Sequence, residues 1–121
     1  MMVNKLVLVF LGGGVGTVLR YIVNYSFSLM QIPQISTFLV NILGSFIFGI
    51  IYVYIAQNTI LSIFLLTGVL GGFTTYSQFT FDLIELNAQS QLTTLLYFFG
   101  TIFLSIFAGL LGIYIGTKMG T

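Results

Sequence analysis

Residues 67–81 read TGVLGGFTTYSQFTF, an apolar segment interrupted by two adjacent glycines and a run of hydroxyls. Gly71 and Gly72 each weaken helix propensity by about 1 kcal/mol relative to alanine, and Thr74, Thr75 and Ser77 compete for backbone hydrogen bonds. The stretch is therefore predicted to form two half-helices joined by a break near Gly71 to Thr75. In hydrocarbon, loose N–H and C=O groups find no partner, so such a break survives only where protein buries it or it lines a wet cavity. A broken span is accordingly where an ion site is to be sought.

Composition supplies the hydrocarbon. Of 121 residues, 58% are hydrophobic and 4% are charged, too little polar material to coat a water-soluble globule of this size. The charges are Lys5, Arg20, Asp82, Glu85 and Lys118, and a net +1 argues against a nucleic-acid partner. Without cysteine or histidine there is no disulfide, no thiol nucleophile and none of the commonest metal-ligand sets. Hydrolytic or redox catalysis has almost nothing to work with, so no enzyme is expected.

A bilayer core of about 30 Å takes roughly 20 helical residues. Four apolar windows meet that length, at about residues 6–27, 36–56, 60–86 and 92–116, so the chain reads as one all-α transmembrane domain. The first window, after Lys5, runs into LGGGVGTVLRY without a cleavage pattern and is taken as a span rather than a signal peptide. Pro33 marks the first turn, and Asp82 and Glu85 are read as the emergence of the third span into water. The runs are continuous rather than alternating, which argues against a β-barrel. Small residues at helical spacing, Gly12 with Gly16, Ser45 with Gly49, Ser105 with Gly109 and Gly112 with Gly116, predict close helix packing.

Thr37, Asn41, Gly44, Ser45, Phe48 and Tyr52 form one stripe on the second span. Asn41 is its sharpest member, because a side-chain amide in lipid must find partners and can offer N–H donors to an anion or to another helix. On the fourth span Tyr97, Thr101 and Ser105 put hydroxyls on one face. After the break, Tyr76 with Phe79 and Ser77 with Thr80 share neighbouring faces; ring edges are positive and attract an anion without a formal charge that would trap it. Each of these features also fits ordinary packing. Arg20, deep in the first span, reads either as a functional intramembrane charge or as a snorkelling one.

GGGVGTVLRY, STFLVNILGSFIFG and GVLGGFTTYSQF stand in the order and spacing of the signature stretches of the fluoride channel family known as Fluc or CrcB, which this chain resembles over essentially its whole length. The resemblance implies an antiparallel (inverted) dimer of four-helix subunits with two fluoride pathways and a central structural sodium ion. By position it makes Asn41 the pore asparagine and puts Tyr76 and Phe79 in the places of paired phenylalanines. Ser77 and Thr80 would match a polar track, and Tyr97, Thr101 and Ser105 a hydroxyl row. Backbone carbonyls of Gly71 and Thr74 would bind the sodium, and Arg20 would be the first-span arginine. Three positions depart from the family pattern: Tyr76 for phenylalanine, Gln78 for threonine, and Ser36 for the glycine before Thr37.

The expected function is passive, fluoride-selective export across the cell membrane. Of the rivals, a proton-coupled exporter of the small multidrug type needs a carboxylate buried in a span, and both acids are read as lying near a span end. A non-selective pore or structural protein such as a holin would not require Asn41 and the break together. Lys5 and Lys118 lie on the side of both termini, a bias toward cytoplasmic termini. Two charges fit a dually inserted homodimer as well as a subunit that pairs with an oppositely oriented paralogue.

Overall fold

A computed structural model describes residues 1–120. Four helical spans are long and apolar enough to cross a membrane: Met2–Leu29, Pro33–Ile55, Thr59–Asn87 and Gln91–Met119. They overlay the four windows expected from hydropathy, extended by a few residues at most ends. Pro33 opens the second span at the first helical turn, where its missing N–H costs nothing. The chain reverses just before it through Gln31, the only non-glycine residue at positive φ among those described.

We label the spans α1 (Met2–Leu29), α2 (Pro33–Ile55), α3 (59–73), α4 (Ser77–Asn87) and α5 (Gln91–Met119), the third span being α3 and α4 together. The interruption expected near Gly71 to Thr75 is present, but it lies at 74–76, just past the glycines. Thr74 leaves the helix with ψ 157°, whereas Gly71 and Gly72 remain helical. Before the break, Ser62–Leu70 is wound as a π-helix, a form that often marks a functional segment.

Gly72, like Gly12 on α1, serves packing rather than the break. A Cβ on Gly72 would lie 2.5 Å from the Gly13 carbonyl oxygen, and one on Gly12 would lie 2.5 Å from that of Phe64, so α1 and α3 touch backbone to backbone. The same holds between α2 and α5, where a Cβ on Gly49 would lie 2.8 Å from the Ile113 amide nitrogen. The small-residue spacing thus builds two tight pairs, α1 with α3 and α2 with α5. α4 is packed more lightly, mainly on α5.

Asp82 corrects the sequence reading. Glu85 is exposed, as a residue at a span's emergence should be, but Asp82 is 1% exposed. It lies three residues after Phe79, on the helix face that α4 turns toward α5. A carboxylate does sit inside a span, and the argument that set aside a proton-coupled exporter on that ground falls.

Candidate functional site

The break decides where backbone bonds go. Thr75 N–H, which a continuous helix would close onto the Gly71 carbonyl, donates instead to Asn41 Oδ1 at 2.8 Å. Asn41 Nδ2 in turn donates to the Thr75 carbonyl at 3.0 Å, so one amide side chain satisfies both backbone groups of Thr75. The Thr75 hydroxyl accepts the Gln78 N–H at 3.2 Å and caps the first turn of α4. On the other side, Arg20 Nε donates to the Gly72 carbonyl at 3.0 Å. Arg20 thereby fills an acceptor that the ending helix leaves open.

Beside the break lies a cavity of about 390 Å³. Of the residues expected on a pathway, Asn41, Tyr76, Phe79, Thr101 and Ser105 line it, whereas Ser77, Thr80 and Tyr97 do not. Ser77 sits 3.3 Å from the Thr75 hydroxyl, and Thr80 Oγ1 donates back to the Tyr76 carbonyl at 3.1 Å. Tyr97 donates its O–H to Asp82 Oδ2 at 2.6 Å. Thr37 is buried beside that pair and reaches the Tyr97 hydroxyl.

Thr101 and Ser105 differ from the other hydroxyls of their helix. Thr94 Oγ1 and Thr117 Oγ1 each donate to the carbonyl one turn back, at 2.8 Å, the ordinary solution in an apolar helix. Thr101 Oγ1 and Ser105 Oγ are buried and have no hydrogen-bond partner. The residues that carry these two unsatisfied hydroxyls, Asn41 with one N–H beyond its bond to Thr75, and the rings of Tyr76 and Phe79 therefore line one space. The two rings meet edge to face, with centroids 5.9 Å apart.

Two of the three departing residues make side-chain hydrogen bonds. Ser36 Oγ donates to Asn24 Oδ1 between α1 and α2, and Gln78 Nε2 donates to Asp82 Oδ1 at 3.1 Å. Sequence reasoning missed the Asp82 cluster and the double bond between Asn41 and Thr75. The four-residue spacing of Gln78 and Asp82 carried a signal for the first; nothing local pointed to the second.

Fold and cavity together define a small multi-pass membrane protein whose polar groups converge on an interrupted third span. Residues 7–116 match the family described as CrcB-like protein, Camphor Resistance (CrcB), and the chain belongs to it. It is 36% identical over 117 residues to the fluoride-specific ion channel FluC of Gloeothece citriformis, covering 93% of each chain. To the protein of that name from Agrobacterium fabrum it is 36% identical over 125 residues, covering 98% of this chain and 99% of the other. To that of Rhizobium meliloti it is 38% identical over 117 residues, covering 88% and 94%. The family is one of ion channels rather than enzymes.

Proposed function

We propose that this chain is a passive, fluoride-selective channel that lets fluoride leave the cytoplasm, and that the cavity beside the break is part of its route. The observation that carries the reading is the pair of buried, unpartnered hydroxyls, Thr101 Oγ1 and Ser105 Oγ, on a cavity shared with Asn41 and two rings. Fluoride is small and strongly hydrated, so a pore must replace its water with donors while holding it weakly enough to release it. Amide N–H, hydroxyls and ring edges do this without a cation. A buried Asp82 reopens the proton-coupled exporter as a mechanism, but the named relatives are fluoride channels, which favours the passive reading.

The functional unit is an antiparallel dimer. Gly71, Tyr76, Ser77 and Thr80 are exposed on the single subunit, beside freed backbone. Lipid cannot satisfy that backbone, and a second copy can cover it. A sodium ion at the twofold axis would be held by carbonyls of Gly71 and Thr74. The first has lost the Thr75 N–H to Asn41, and the second is turned out of the helix, giving the hard oxygen donors sodium prefers.

Purified chain reconstituted alone in liposomes should release fluoride and retain chloride. Equal chloride release would overturn the selective channel in favour of a non-selective pore. Silence of the chain alone, relieved by an oppositely oriented paralogue, would overturn self-sufficiency.

A further inference from the structure

Asp82 is the most buried charged group described, with 1% of its surface exposed. Both donors to its carboxylate are neutral: Gln78 Nε2 at 3.1 Å on Oδ1 and the Tyr97 O–H at 2.6 Å on Oδ2. A buried carboxyl in that setting is held by the geometry of its hydrogen bonds and in turn constrains their donors. The Tyr97 ring is what the constraint acts on. Its centroid lies 5.4 Å from that of Phe79, which is 3% exposed and gripped also by Tyr76 and Phe98. Phe79 lines the cavity beside the break and Tyr97 does not. The hydroxyl of Tyr97 is thus committed to Asp82, and its ring forms the wall behind Phe79.

We propose that Asp82 is a positioning residue for the anion route: by holding the Tyr97 hydroxyl it fixes that ring, and through it the pose of Phe79. This rests on the fluoride reading of the cavity. A ring's edge is positive and its face negative, so the tilt of Phe79 decides whether an anion meets attraction or repulsion. Losing the Asp82 to Tyr97 bond should therefore change which anions pass as well as how fast. Gln78 contributes the second bond, from one turn earlier on α4, and keeps the carboxylate turned toward Tyr97.

The test places a para-fluorophenylalanine at position 79 and reads its fluorine NMR resonance in detergent, in fluoride-free buffer. Asp82→Ala and Tyr97→Phe should each shift or broaden the resonance, and Asp82→Asn, whose amide oxygen still accepts from Tyr97, should leave it near its native position. In liposomes, Asp82→Ala and Tyr97→Phe should each lower the ratio of fluoride to chloride efflux by about tenfold, the scale of one lost hydrogen bond. Together they should be no worse than either alone, because both remove one bond.

An unmoved resonance in Asp82→Ala and Tyr97→Phe would overturn the proposal, as would additive losses, or an Asp82→Asn protein that behaves like Asp82→Ala. Tyr97→Phe removes a single oxygen, so the result stands even if Asp82→Ala fails to fold. If the native chain passes no fluoride, the function reading fails while the resonance still reports on positioning.

Discussion

The two halves of the third span are held by opposite means. α3 is fixed by backbone meeting backbone, glycine against glycine, with α1 running alongside it. α4 hangs from side chains: Asn41 at its head, Thr75 as its cap, and Tyr97 on Asp82 along its length. One half is held by close backbone contact at Gly68 and Gly72, and the other by polar groups that need partners in an apolar medium. The break sits where the two regimes meet, so it can be a defined structure although no helix continues through it. Substitutions in α3 should then act on folding, and substitutions around α4 on transport.

The largest effect expected is from Gly72→Val. Its branched side chain would press on the Gly13 carbonyl and the Thr17 amide, and overpacking against unyielding backbone should cost about 3 kcal/mol or more. Little monodisperse protein should survive size exclusion in detergent. A well-behaved Gly72→Val protein would break the contrast.

Next comes Asn41→Ala, which strands the N–H and C=O of Thr75 at about 1–3 kcal/mol per unpaired group. Fluoride efflux should fall on the order of a hundredfold. Asn41→Asp keeps an acceptor for Thr75 N–H but adds a charge that repels an incoming anion, so efflux should be suppressed again. Unaltered efflux in both would remove Asn41 from the route. Arg20→Leu should lower thermal stability by about 1.5 kcal/mol, the lower range for a charged hydrogen bond, by uncovering the Gly72 carbonyl. The fluoride-to-chloride ratio should hold; a changed ratio would give Arg20 a part in conduction.

The smallest effect should be that of Tyr76→Phe. Tyr76 is 79% exposed on the single subunit, and the change keeps the ring and its positive edge. Efflux should stay within about threefold of native, because the ring rather than the phenol is the expected contact. A larger change would make the phenolic hydroxyl part of the site.

Much of this was legible in the sequence because lipid enforces simple rules. Span lengths, the small-residue seams and the interruption of the third span all follow from apolar runs and glycine placement. The sequence reading puts the break slightly early because it credits the glycines with breaking the helix, whereas both stay helical and Gly72 is packed against the α1 backbone. Asp82 reads from sequence as a charge meeting water at the end of an apolar run, and only the fold brings Tyr97 over it. Asn41 stands out in the sequence as an amide in need of partners, yet its bond to Thr75 spans 34 residues and no local pattern encodes it.

The most direct trial of the cavity as a fluoride route is efflux from liposomes carrying Thr101→Val with Ser105→Ala, measured against the native chain with chloride as control. These hydroxyls have no partner to lose, so thermal stability should be unchanged or slightly raised, while fluoride efflux falls by about tenfold or more. Native fluoride efflux from a normally folded double variant would contradict the account.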